Sequence, residues 1–313
     1  MSGSTIVTGA AGFAGSHLLD LLAADGVDVV AWHRPAGHPP REVAGVRWQA
    51  VDLLDQRSVL RAIDNAAPAV VYHCAGAAHV GQSWGKGAAT LRVNVLGTHS
   101  IVEALRTAAP EAQLLITSSA LVYGPSVDAI DETYPIRPAN PYGLSKVAQE
   151  MVAWGEGGHR HTYIARPFNH FGPRQDPTFV SAAFARQIAR IEAGLSPPEI
   201  HVGNLAALRD LTDVRDTVRA YRLIVERGVA GRPYNVCTGT PVAVDTLLDT
   251  LVSLARVAVR IVPDPSRYRP NDTPVVLGNP ARANRELGWT ATIPAEQTAR
   301  DLLDYWRQQV RTT

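Results

Sequence analysis

The stretch Thr8-Gly9-Ala10-Ala11-Gly12-Phe13-Ala14-Gly15 constrains this chain more than any other, because it joins a β-branched run, Thr5–Thr8, to a segment of helical period reaching about Ala24. Glycines at Gly9, Gly12 and Gly15 permit a tight strand-to-helix turn and close approach of a pyrophosphate. The helix N-terminus behind them offers unpaired backbone N–H groups to that charge. In this context the motif predicts a dinucleotide site, and a turn that binds nothing is the competing reading. The spacing is Gly-x-x-Gly-x-x-Gly, not the commoner Gly-x-Gly-x-x-Gly, which points to a particular branch of dinucleotide binders.

Further strand-like runs at Asp28–Trp32, Ala69–His73 and Leu114–Ser118 alternate with helical segments, the pattern of βαβ units and a parallel sheet. Leu91–Ala108 reads as one long helix, and Pro141–Glu156 as another with proline in its first turn. After Tyr163–Arg166 the pattern loosens, with Pro167, Gly172, Pro173, Pro177, Pro197 and Pro198 around one helix near Phe179–Gly194; the tail, Ala295–Arg311, is an amphipathic helix. At 313 residues the chain exceeds the usual single-core size. The expected fold is α/β: a doubly wound parallel-sheet Rossmann domain with a smaller mixed α/β substrate-binding lobe. The expected division is 1–166 with 211–238 returning to it, and 167–210 with 239–313.

A net charge of +1 gives no footprint for nucleic acid, and no apolar run approaches membrane-spanning length. Cys74 and Cys237 lie far apart with no Cys-x-x-Cys spacing, and Met1-Ser2-Gly3-Ser4 runs straight into strand-like residues, so a cytoplasmic location with reduced thiols is expected. Cys74 reads as a small core residue. His159, Arg160 and His161 have no carboxylate or cysteine at ligand spacing; they read as a polar turn, and no metal is expected.

An acid at the end of the second strand would hold the ribose 2′-hydroxyl of NAD and repel the 2′-phosphate of NADP. Here Val29-Val30-Ala31-Trp32 is followed by His33 and Arg34. Arg34 reads either as a partner for a 2′-phosphate, favouring NADPH with NADH still possible, or as a solvated loop arginine. Asp52, after the third strand, is a candidate for the adenine edge. Tyr142 and Lys146 lie four apart on a predicted helix and project from one face. A phenol is a poor acid-base at neutral pH, but an adjacent ammonium favours phenolate, so Lys146 is expected to lower the pKa of Tyr142. Thr117-Ser118-Ser119 ends a predicted central strand, where this architecture places reacting groups.

Together these residues resemble the extended short-chain dehydrogenases/reductases that act on nucleotide sugars. The resemblance rests on Thr8–Gly15, Asn94, Ser118-Ser119-Ala120-Leu121-Val122-Tyr123-Gly124 and Pro141-Tyr142-Gly143-Leu144-Ser145-Lys146, and covers essentially the whole chain. It implies that Ser119 hydrogen-bonds the reacting oxygen, Tyr142 transfers the proton, and Lys146 holds the nicotinamide ribose. It also implies cofactor contacts at Phe13, Leu53, Ala75, Gly76 and Asn94. Arg166–Pro173, Val202–Leu205, Arg209–Asp216 and Glu286–Trp289 resemble the 4-keto-6-deoxyhexose reductases and their dehydratase relatives. On that resemblance Asn169 and Arg269 touch the diphosphate, Val202 and Arg209 line the nucleoside pocket, and Ser83 contacts the hexose; each arginine alone also reads as a salt-bridge residue. His79 and Trp84 read equally as loop packing.

Related dehydratases carry a glutamate two positions after the catalytic serine or threonine, often beside a second acid; here Ala120 and Leu121 occupy this stretch and neither can move a proton. The implied activity is NADPH-dependent 4-ketoreduction of a GDP- or dTDP-linked 4-keto-6-deoxyhexose, with a GDP-D-rhamnose type product and a homodimeric enzyme. The alternatives are a nucleotide-sugar epimerase with bound NAD and a non-catalytic dinucleotide sensor.

Overall fold

The computed structural model describes residues 3–37, 41–155, 157–268 and 273–312. Along the first half, β1 (Ser4–Thr8), α1 (Phe13–Ala24), β2 (Val29–His33), β3 (Val46–Ala50), α2 (Gln56–Ala66) and β4 (Pro68–His73) alternate as expected. They are followed by α3 (Val80–Ser83), α4 (Gly87–Leu91), α5 (Gly97–Ala108), β5 (Gln113–Thr117), α6 (Pro141–Trp154) and β6 (Thr162–Pro167). The second half contains β7 (Asn169–Phe171), α7 (Val180–Glu192), β8 (Glu199–Val202), β9 (Leu208–Asp213), α8 (Val214–Arg227), β10 (Pro233–Val236) and β11 (Pro241–Ala243). It closes with α9 (Val244–Ser253), β12 (Arg260–Pro263), β13 (Val275–Val276), α10 (Ala281–Leu287) and α11 (Ala295–Thr312).

Seven parallel strands form the main sheet in the order β10-β6-β5-β4-β1-β2-β3. Strand order reverses between β1 and β4, and a crevice opens there at the carboxyl ends of the strands. Both faces are covered. On one, Leu18, Leu19 and Leu22 of α1 pack with Val218, Tyr221 and Ile224 of α8; on the other, Val59 and Ile63 of α2 meet Ile101 and Leu105 of α5. Smaller sheets carry the rest: β9 pairs with β7, β11 and β13, and β8 pairs with β12, over a separate core of α7, α9 and α11. Residues 281–291, expected in the smaller lobe, behave differently. Ala283, Leu287 and Trp289 pack into the core between the main sheet and α1 and α8, since α10 returns to α8 and β10.

The helix expected over Leu91–Ala108 is longer and not uniform: α4 runs into α5 through a π-helical turn at Arg92–Leu96. Such wide turns recur at functional sites. This one carries Asn94, which is fully buried. On α6 the apolar residues Leu144, Val147, Ala148 and Met151 recur at helical spacing, a pattern that predicts a sheet-facing stripe, and the helix departs from it. Leu144, Met151 and Trp154 point to solvent, while Tyr142, Ser145, Lys146, Gln149 and Glu150 are buried. Its start is fixed by Asn140, whose side chain accepts from the Gly143 N–H at 2.8 Å, with Pro141 in the first turn.

Candidate active site

Gly9 has φ +64°, and a Cβ there would lie 2.7 Å from the Ala75 backbone; at Gly15 it would lie 2.3 Å from the Gly9 carbonyl. Only glycine fits either position, one for the turn and one for the approach of α1 to it. No side chain caps α1 and no acid occupies its first turn, so its N–H groups face the crevice with an uncompensated positive dipole. Phe13 stacks on His170 at 5.6 Å between ring centroids, which ties the turn to the segment after β6. Ala75 donates to Thr8 Oγ1 at 3.1 Å, and a Cβ at Gly76 would meet Asn94 Oδ1 at 2.9 Å. This backbone-lined cradle fits a dinucleotide diphosphate.

Asn94 itself supports the cradle from beneath. It accepts from the Ala77 N–H at 2.7 Å and donates to Ser145 Oγ at 2.9 Å, so its amide joins the loop after β4 to α6. Arg34 is exposed beside His33 beyond β2. Asp52 is exposed after β3, one carboxylate oxygen accepting from Leu54 N–H at 2.9 Å, and Leu53 packs against Gly97.

At the end of β5 two adjacent serines divide. The Ser118 hydroxyl donates to Glu150, whose carboxylate pairs with Arg166 through two bonds of 2.9 and 2.7 Å. Ser119 Oγ accepts from the Leu121 N–H at 3.1 Å and lies beside Tyr142. Burial pushes the Tyr142 phenol up to about 12 while Ser119 pulls it down. The depression expected from Lys146 is absent: the ammonium lies 5.8 Å from the Tyr142 ring centroid, and burial and the Ser119 hydroxyl set the direction of the shift. The same desolvation lowers Lys146 to about 8. Lys146 Nζ donates to the Thr117 carbonyl and to Gln149 Oε1, both at 2.8 Å. Ser119, Tyr142 and Lys146 therefore lie together, buried, at the carboxyl end of the sheet.

The substrate residues fare less evenly. Asn169 is exposed at the start of β7. Val202 does not line an open pocket; it is buried in the core under α7 and α9 because it faces inward from β8. Ser83 is fully buried and donates to the Val80 carbonyl at 2.7 Å, so it closes a helical turn. Arg209 donates to the carbonyls of Leu208 and Pro274 at 2.8 and 3.3 Å, which holds β9 to the start of β13. Arg269 lies outside the described residues. His79 stacks on Phe179 at 5.0 Å and lies 3.1 Å from Thr178 Oγ1, the packing reading. His159 is not a solvated turn residue; it is buried, with Nε2 2.6 Å from the Ala112 carbonyl. Among the described residues no cluster of histidine, cysteine and carboxylate could hold a metal, and no helix is long and apolar enough to cross a membrane. Burial raises the Cys74 thiol to about 12, in keeping with a packing role.

The sheet order, the glycine cradle and the Ser119–Tyr142–Lys146 group define an extended short-chain dehydrogenase/reductase, an oxidoreductase fold that holds a dinucleotide beside a tyrosine acid-base. The family model for GDP-mannose 4,6-dehydratase matches residues 6–302. GDP-6-deoxy-D-mannose reductase of Pseudomonas aeruginosa is 36% identical over 316 residues, covering 99% of each chain. The structure of RMD from Pseudomonas aeruginosa complexed with NADPH aligns with a TM-score of 0.84 at 34% identity, over 98% of this chain and 100% of that one. UDP-glucose 4-epimerase of Thermotoga maritima, with UDP-glucose, aligns at 0.88 and 25% identity, over 98% and 99%. The chain belongs to the GDP-mannose 4,6-dehydratase family.

Sequence reasoning missed Gln149, Glu150, Arg166 and Gly143. A signal was present: Tyr142, Lys146, Gln149 and Glu150 recur at helical spacing and form a polar stripe on α6.

Proposed function

We propose that the chain is an NADPH-dependent 4-ketoreductase of a nucleotide-linked 4-keto-6-deoxyhexose, with a GDP carrier and a GDP-D-rhamnose type product. One observation carries this reading: Ser119, Tyr142 and Lys146 lie together at the carboxyl end of the sheet, and the turn that follows Ser119 presents Ala120 and Leu121. The family includes dehydratases, but dehydration across carbons 5 and 6 needs an acid and a base where this chain has two aliphatic side chains. The reductase from Pseudomonas aeruginosa, similar over its whole length, supports the same substrate class.

NADPH supplies a hydride to carbon 4 when bound. Gly9, Gly12, Phe13 and Gly15, with Leu53, Ala75 and Gly76, would seat it; Arg34 would pair with its 2′-phosphate, Asp52 with adenine, and Lys146 with the ribose. Ser119 donates a hydrogen bond to the ketone oxygen and Tyr142 delivers the proton. A phenol raised to about 12 keeps that proton at neutral pH, the form a reduction consumes. The unit built on the seven-stranded sheet binds the cofactor, while β7 to β9 and α7, with Asn169, Arg209 and Arg269, bind the nucleotide sugar. The exposed apolar side of α5 and α6 mates with a second copy, giving a homodimer located in the cytoplasm.

The test offers 4-keto-6-deoxy sugars on GDP and dTDP carriers, each with NADPH and NADH, and identifies products by NMR. Reduction at carbon 4 with a strong NADPH preference is the expected result. Interconversion of substrate without net cofactor consumption would instead establish an epimerase. Tyr142→Phe should retain folding and NADPH binding while turnover falls by at least about 100-fold; unchanged turnover would remove the mechanism.

A further inference from the structure

Lys146 has three N–H groups, and two are taken by partners inside the protein. The Thr117 carbonyl is backbone and its place is set by the sheet. Gln149 Oε1 is a side-chain atom, and it faces Lys146 only while the amide nitrogen is held elsewhere. Thr98 holds it: Gln149 Nε2 donates to Thr98 Oγ1 at 2.9 Å. Thr98 spends its own proton on the Asn94 carbonyl at 2.7 Å, so it can only accept from Gln149 and from His73 Nε2, which lies 2.9 Å away. His73 must then carry its proton on Nε2 and accept at Nδ1 from the Thr8 hydroxyl, 2.8 Å away, while Thr8 Oγ1 accepts from the Ala75 N–H at 3.1 Å. Thr8, His73, Thr98 and Gln149 are all 0% exposed. A flipped Gln149 would place its NH2 against an ammonium and its oxygen against a hydroxyl with no proton left to give. The direction of every bond from the glycine turn to the lysine is thereby dictated.

We propose that Gln149 is a positioning residue for Lys146, locked by Thr98, His73 and Thr8 so that it takes one ammonium proton and leaves the remaining N–H directed into the cleft beside Gly76 and Tyr142. The cleft side is marked by two distances: Nζ lies 5.8 Å from the Tyr142 ring centroid, and 3.6 Å from where a Cβ at Gly76 would stand. The proposal rests on the assignment of Tyr142 and Lys146 to the reaction. Glutamine suits the task because a neutral acceptor orients the cation without neutralising it, whereas a carboxylate would hold it as an ion pair.

The test compares Gln149→Leu and Gln149→Glu with the parent protein. The Lys146 titration is followed by NMR in protein without added cofactor, NADPH affinity is measured, and kcat and KM for the sugar are recorded against pH. The titratable and charged groups facing Lys146 are His73 from β4, Cys74 just after it, and Tyr142 and Glu150 from its own helix. Cys74 and Tyr142 are raised to about 12, His73 is lowered to about 3, and Glu150 is paired with Arg166, so a transition near 8 belongs to Lys146.

Gln149→Leu should lower the Lys146 midpoint by about one pH unit and kcat by about 10- to 100-fold, with KM for the sugar little changed. Gln149→Glu should move the midpoint the opposite way and recover part of kcat. A Lys146 midpoint unmoved in both variants, or a kcat that falls equally in both, would overturn the proposal and leave Gln149 as packing. A Tyr142→Phe control separates this from failure of the reaction itself: if that variant keeps full turnover, the catalytic assignment falls, whatever Gln149 does.

Discussion

At Tyr142 two effects oppose each other, the Ser119 hydroxyl that favours phenolate and burial that disfavours any charge, and burial prevails. Burial also lowers His17, His73, His159 and His170. Burial lowers His73 to about 3, and burial together with Arg174 lowers His17 to about 4. Both folded values lie below the unfolded value of about 6.5, so the unfolded chain binds more protons between these limits and stability falls as pH drops through 6.5. Each histidine should remove about 1.4 kcal/mol per pH unit over most of that window. Urea midpoints measured from pH 7 to 5.5, above the range where most carboxylates titrate, check this; a flat profile contradicts the burial of both rings. Arg34 is tested separately. Arg34→Ala should raise KM for NADPH by about 10- to 100-fold, the loss of a charge-assisted bond of about 1.5–3 kcal/mol, with KM for NADH nearly unchanged. Equal effects on both cofactors would return Arg34 to the solvated loop.

Among the elements, α6 carries most of the chemistry, and its seating depends on Gly143. A Cβ there would stand 2.2 Å from the Leu121 carbonyl, so only glycine lets the first turn of α6 rest on the turn that follows Ser119. Gly143→Ala should therefore displace the helix and separate Tyr142 from Ser119. A shift of about 1 Å can cost about 100-fold in rate. Steady-state turnover should fall on that scale while NADPH affinity, set at α1, changes little; unchanged turnover would mean the two turns can part without consequence. Elsewhere, Arg307 clamps α11 to α7 through two 2.7 Å bonds to Glu192, with both side chains largely buried, which holds the smaller lobe together independently of the active site.

For the whole molecule, the outer side of α6 leaves Leu144 at 50%, Met151 at 69% and Trp154 at 54% exposure, with Leu96 exposed at the start of α5. His99, Val102, Glu103 and Met151 line a groove between these two helices. An apolar strip of this kind on paired helices fits a twofold, self-complementary contact. Light scattering at micromolar concentration should give a dimer, and Met151→Glu with Leu144→Arg should give an active monomer. A monomeric parent protein with full activity would reject the interface.

The glycine turn, the strand and helix alternation and the Tyr142–Lys146 pair were legible in the sequence because each depends on local geometry: φ at Gly9, the β-branched runs, the four-residue spacing on one helix face. The sequence alone therefore determined the sheet, its crevice and the family. What lay inside was decided only by the tertiary structure. The apolar periodicity of α6 points Leu144 and Met151 at the sheet, yet the helix buries its polar stripe, since Lys146, Gln149 and Glu150 find partners on β5, β6 and α5 that no local window contains. Val202 and Ser83 turned inward for the same reason, and residues 281–291 joined the larger core. Spacing along a chain fixes which side chains share a face; which face is buried depends on long-range partners that can satisfy its polar groups.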